Sequence, residues 1–294
     1  MRPHLFLCLV LAVPTWSCRW NAAGTTGCVP AGLAQALPKA LRESSGVAWS
    51  EAAEGVLFSH NDGGNPASVF ALDAGGTLLG EIPLKGARNR DWEDMATGDC
   101  QGGSCIYVAD IGDNALVRDR IVLYRIPDPG TYDGSPREAE AFSMALPHGP
   151  RDMEAMFVLP GEEVFFVSKG RGHPVTMYRY PPPLRPGETV TLEAVQDFSP
   201  GRLPIPQQVT GADASEDGSL VAIRSYEALT FFHTEAGRLN EIPGGRVNLR
   251  TLNEVQGEAV GLGPQGEVAL TSEGILTRQG SMLILHCRSL LERD

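Results

Sequence analysis

Five times along this chain the same order recurs: a polar or acidic residue, an apolar strand, a Gly-rich turn, a second strand running into polar residues, a third strand, then a fourth ending near proline. A unit that repeats at a near-constant period cannot bury its apolar surface alone, so the chain must stack copies against one another. The second strands show the repeat most plainly, as Val56-Leu57-Phe58, Cys105-Ile106-Tyr107-Val108, Val164-Phe165-Phe166-Val167, Leu220-Val221-Ala222-Ile223 and Val268-Ala269-Leu270. Third strands follow at Val69 to Leu72, Ile121 to Tyr124, Val175 to Tyr178, Leu229 to Phe232 and Met282 to Leu285. Such β-branched and aromatic runs, bounded by Gly, Pro and Asp, read as strands.

Taking Glu43, Glu93, Glu154, Thr210 and Glu258 as markers, the spacings are 50, 61, 56 and 48 residues, the length of a four-strand propeller blade with its loops. Fourth strands are expected at Ile82-Pro83, Leu146-Pro147, near Pro204 and at Ile242-Pro243. Leu37-Pro38 matches them but precedes the first blade, so an N-terminal strand is expected to complete the last blade and close the ring. The reading is an all-β, five-bladed β-propeller of four-stranded antiparallel blades. A six-bladed ring and a two-sheet sandwich are the alternatives; neither explains five recurrences. With Gly 34 and Pro 22, turns are abundant, and no 3.6-residue pattern persists long enough for a helical layer.

Arg2 ahead of the apolar run Leu5 to Val13 reads as a signal peptide over residues 1–17. Thr15-Trp16-Ser17-Cys18 resembles a lipoprotein box, so Cys18 is the expected lipid anchor of a periplasmic or outer-surface protein, with plain secretion as the alternative. Residues 18–32 are then a tether and 33–294 one propeller domain. Cys100 and Cys105 flank Gln-Gly-Gly-Ser, a turn able to bring them together, which leaves Cys28 to pair with Cys287 across the ring closure. Zinc is disfavoured because paired CxxC spacing is missing. The net charge of −12 disfavours nucleic acid and anionic lipid. Membrane contact is therefore expected only through Cys18, and the protein is expected to be a monomer.

In a four-strand meander the loops before the first strand and after the second emerge at one end of the ring. That end collects the unusual residues, whereas the other holds ordinary turns such as Glu216-Asp217-Gly218. Arg-Asp-apolar-Glu occurs twice, at Arg90 to Glu93 and Arg151 to Glu154. Equivalent placement would aim Glu93 and Glu154 at the channel, joined by Glu43 and Glu258. Converging carboxylates need a cation or a proton among them, and hard oxygen ligands suit calcium. The competing reading has each glutamate hydrogen-bonded or paired with the preceding arginine. His60 beside Asp62 is the candidate general base. Asp91, Asp94, Asp110, Asp113, Lys169, Arg171 and Glu273 make up the expected ligand face, where Lys169, Arg171 and His173 would form a positive cluster for an anionic group. No GxSxG, Walker or HExxH motif occurs.

His60-Asn61-Asp62-Gly63, Asp91-Trp92-Glu93-Asp94, Asp110-Ile111-Gly112-Asp113-Asn114 and Thr271-Ser272-Glu273-Gly274 resemble, in this order, a group of bacterial secreted propeller proteins. Glu43-Ser44-Ser45-Gly46 and Gly257-Glu258-Ala259 are more distantly similar to SdiA-regulated and phytase-like esterase propellers. The resemblance implies a propeller and favours calcium; it supplies no reaction, and the lysine-rich phosphate site of a phytase is missing. Two functions are expected in competition. One is a calcium-binding platform for a ligand or partner protein on the polar face; the other is a metal-assisted hydrolase of phosphoester, lactone or carboxyl-ester substrates.

Overall fold

The computed structural model describes residues 27–287, so the signal peptide and Cys18 lie outside the described residues. Five antiparallel sheets follow one another along the chain. The first blade consists of Ser44–Trp49, Val56–Asn61, Ser68–Asp73 and Leu78–Lys85. The second comprises Trp92–Cys100, Gly103–Asp110, Ile121–Pro127 and Glu140–Ala145. The third comprises Met153–Leu159, Glu163–Ser168, Thr176–Arg179 and Glu193–Asp197. Val209–Ala214, Leu220–Ser225, Ala228–Glu235 and Arg238–Asn248 form the fourth. In the fifth, Gln256–Leu262, Glu267–Glu273 and Ser281–His286 are completed by N-terminal Val29–Pro30 and Gln35–Ala36, both paired to Ser281–His286. The innermost strands touch in succession, and the fifth touches the first, so the ring is a closed five-bladed propeller. Helix is confined, among the described residues, to the single turns Ile205–Gln207 and Arg250–Leu252.

The apolar core sits in five packets, one in each gap between neighbouring blades. Each blade is therefore apolar on both faces near the axis. Val56–Asn61 is buried at every position, which is why the second strands read as unbroken hydrophobic runs. Outer strands instead face solvent, and Arg238–Asn248 has two buried residues, Leu239 and Gly245.

Ring closure starts at Val29, within the stretch expected to be tether, and runs through Cys28–Cys287. Both expected disulfides are bonded, Cys28 to Cys287 and Cys100 to Cys105, as suits an oxidising compartment. The third blade's outer strand ends at Asp197, not near Pro204: residues 198–208 are a crossing loop with one helical turn. Two short parallel strands were not legible either. Arg137–Glu138 and Thr189–Thr191 cover the outer edges of the first and second blades, which hides backbone groups that would otherwise invite strand addition.

Candidate functional site

Each blade's innermost strand begins with the same irregularity. The register skips one residue opposite the second strand, between Ser44 and Gly46, Trp92 and Asp94, Met153 and Ala155, Val209 and Gly211, and Gly257 and Ala259. The skipped residues are Ser45, Glu93, Glu154, Thr210 and Glu258. A bulge frees one residue from the ladder and re-aims its side chain. Three of the four expected glutamates thus occupy equivalent bulge positions, as does the marker Thr210. In the first blade, however, the equivalent residue is Ser45; Glu43 lies two residues earlier, half-buried, and accepts from Asn65 Nδ2 at 2.7 Å.

The bulge residues differ in how they are satisfied. Lys169 Nζ stands 2.6 Å from Glu154 Oε1 in a buried ion pair, so the partner of Glu154 is Lys169 and not Arg151, whose guanidinium donates to the Pro150 carbonyl. Although burial opposes its charge, the Glu154 carboxylate and neighbouring Tyr226 and Glu93 hold Lys169 above its ordinary range. Gln256 Nε2 bridges Glu258 Oε1 at 2.6 Å and Glu273 Oε2 at 3.0 Å. Burial, reinforced by Glu273, pushes Glu258 up to about 8; burial, reinforced by Asp62 and Glu43, does the same to Glu273. Glu93 is 7% exposed, and its carboxylate accepts no hydrogen bond among the described residues. Burial and the nearby Glu154 and Asp62 raise it far above the usual carboxylate range. Thr210 Oγ1 is likewise buried without a partner.

Carboxylate oxygens of Asp62, Asp91 and Glu93 lie within 4.8 Å of one another. This trio sits at the junction of the first two blades: Asp62 follows a second strand, Asp91 precedes an inner strand and Glu93 is its bulge. The Gly63 amide donates to Asp62 Oδ1, and burial with Asp62 alongside lifts Asp91 to about 6.

Several expected site residues make structural contacts. His60 is wholly buried, with Nδ1 at 3.1 Å from the Asn61 carbonyl oxygen and its ring 5.5 Å from that of Trp92. Burial lowers it to about 4, and the ring has no exposed surface, so its place in the fold lends the general-base reading no support. Asp94 is also fully buried: Oδ1 accepts from the Met95 amide, while Oδ2 accepts from Met156 and Ala212 in the next two blades. Asp110 pairs with buried Arg118 at 2.9 Å, and Asp113 accepts the Val117 and Arg118 amides. These contacts shape the loop that holds both residues. The expected positive cluster is dispersed, because Lys169 is paired inside the mouth and exposed Arg171 reaches outward to Asn114 and Asp152. Asn61 Oδ1 accepts the Glu43 amide at 3.0 Å.

Arg118 and Arg224 were missed by sequence reasoning. Arg224 is wholly buried and joins the fourth blade to the fifth through the Ala259 and Thr271 carbonyls and Glu254. Its one available signal is a charged residue inside the apolar run Leu220–Ser225.

The raised carboxyls make stability fall with pH. Glu258 and Glu273 move from 4.5 to about 8 on folding, and buried Asp213 from 3.8 to about 8. Between those limits the unfolded chain has released protons that the folded chain keeps, so raising pH favours unfolding. Without added metal, the melting temperature at pH 8 is expected to lie at least about 10 °C below that at pH 5, at about 2–4 °C per kcal/mol for a domain of this size. A flat profile in calorimetry would show that these groups ionise freely in the fold.

No family model matches the sequence, and no curated protein matches it. Among solved structures, the PQQ-bound aldose sugar dehydrogenase of Streptomyces coelicolor is similar at 11% identity and a TM-score of 0.49, covering 88% of this chain and 97% of that one. A glucose dehydrogenase is similar at 13% and 0.44, covering 86% and 99%. Chaetomium thermophilum Raptor is similar at 11% and 0.45, covering 92% of this chain and 29% of that one. Likenesses this remote fix neither substrate nor cofactor for this chain.

Proposed function

We propose that this chain is an exported, calcium-binding propeller whose channel mouth presents the ion to a neutral or positively charged ligand. The observation that carries the reading is charge. Acidic side chains from four blades converge on the mouth, while the buried cation among them, Lys169, is already paired with Glu154. An anionic ligand would meet repulsion unless a bound ion offset it, whereas oxygen-only carboxylate donors suit calcium. Export agrees with two disulfides and the N-terminal apolar run. Lipidation of Cys18 would then hold the propeller at a membrane surface with its mouth free.

Metal-assisted hydrolysis is the second reading, favoured by Glu258 and Glu273. Carboxyls near 8 exchange protons close to neutral pH, as a general acid or base must. Of the three substrate classes, neutral lactones and carboxyl esters suit the acidic mouth better than phosphoesters. Calorimetric titration of calcium into chelator-treated protein tests the ion. Free calcium at a hundredfold its dissociation constant should stabilise the fold by about 2.7 kcal/mol, and identical melting curves in calcium and in chelator would eliminate the reading. A lactone and ester screen then separates platform from enzyme: calcium-dependent turnover abolished by Glu258→Gln would establish the hydrolase.

A further inference from the structure

We propose that the calcium of the preceding reading sits off the axis, on Asp62, Asp91 and Glu93 at the junction of the first two blades, and not among the bulge glutamates at the centre. The proposal rests on that reading for the identity of the ion and adds where it binds. Within the mouth the central glutamates are already satisfied: Glu154 has Lys169, and Glu258 has Gln256. Glu93 has nothing comparable. Its side chain is more than nine-tenths buried, accepts no hydrogen bond among the described residues, and contributes an oxygen to the trio that spans no more than 4.8 Å. Two oxygens bound to one calcium at about 2.4 Å lie at most about 4.8 Å apart, so the spacing admits one ion.

Two glycines give an independent indication. Gly63 and Gly112 do not adopt the left-handed backbone that favours glycine, so conformation does not explain them. Space does. A Cβ at Gly112 would overlap Glu93 Oε1 and stand 2.6 Å from Asp91 Oδ2, and one at Gly63 would stand 2.6 Å from Asp91 Oδ1. Both loops give up a side chain where they press on the trio, leaving its carboxylates in place. Three protein oxygens fill only part of a shell of six to eight, so several positions stay open for water and for ligand oxygens from the mouth.

The test is calcium titration of the full chain, wild type beside Asp91→Asn, Glu93→Gln, Gly112→Ala and Glu258→Gln, with melting curves in chelator for each. Losing one carboxylate of the trio should weaken calcium at least about tenfold, because ligand charge sets calcium affinity. Neither carboxylate accepts a hydrogen bond among the described residues, and burial already disfavours their charge, so in chelator Asp91→Asn and Glu93→Gln should melt no lower than wild type; that separates lost binding from lost folding. Gly112→Ala should weaken calcium although it deletes no ligand, and Glu258→Gln should leave affinity within about threefold. Calcium affinity unchanged in Asp91→Asn and Glu93→Gln, or lost in Glu258→Gln instead, would overturn the off-axis seat while leaving a calcium-binding propeller. A wild-type protein that binds no calcium would overturn both.

Discussion

Asp94→Ala should unfold about 10–20 °C below the wild type, because it strips three buried amides of their acceptor at once and each orphaned donor costs about 1–3 kcal/mol. The Met95, Met156 and Ala212 amides belong to the inner strands of three successive blades and meet this one carboxyl at 2.9, 2.8 and 3.0 Å. Positions equivalent to Asp94 in the other blades are Gly46, Ala155, Gly211 and Ala259, all small. A Cβ at Gly211 would stand 2.7 Å from the Glu258 carbonyl oxygen, so the ring has room for a large residue at one of these positions and uses it as a pin. Asp94→Asn keeps a carbonyl oxygen and should fall between. A thermal shift of Asp94→Ala under 3 °C would show that the strands are held together without it.

Replacing Cys28 and Cys287 together by serine should cost up to about 5 kcal/mol, since loop-closure entropy rises with the length closed. The sequence separation here is 259 residues, against 5 for Cys100 and Cys105, whose loss should cost about 2 kcal/mol by the same arithmetic. Val29–Pro30 contributes two residues to the closing sheet, so the covalent link and not the ladder should hold that end. Equal losses from the two double variants in denaturant titration would contradict this account.

The ring, its five blades and both disulfides were legible because they depend on features that survive in one dimension. A second strand packed on both faces has to be apolar throughout, and Phe165 and Phe166 side by side can be buried together only in such a strand. The outer strand Glu193–Asp197 has no buried residue, so its composition could not mark its end. For the site, the markers found the right turn of each blade because bulge residues recur at the blade period. They could not distinguish Ser45 from Glu43, since the sequence does not mark which residue at a strand entry is left out of the ladder. His60 and Asp94 looked functional because polar residues at a strand end are usually exposed. Which of them turns inward is decided by neighbours far away in sequence, such as Met156 and Ala212.

The five bulges give this molecule a turret with interchangeable settings. A residue outside the ladder can be exchanged without breaking a strand pair, so the identities at Ser45, Glu93, Glu154, Thr210 and Glu258 are free to vary while the sheets behind them stay as they are. Two settings now carry hydroxyls and three carry carboxyls. A lineage descending from this chain could therefore acquire a new chemical character at its mouth through a few single substitutions, with the apolar packets between the blades inherited unchanged.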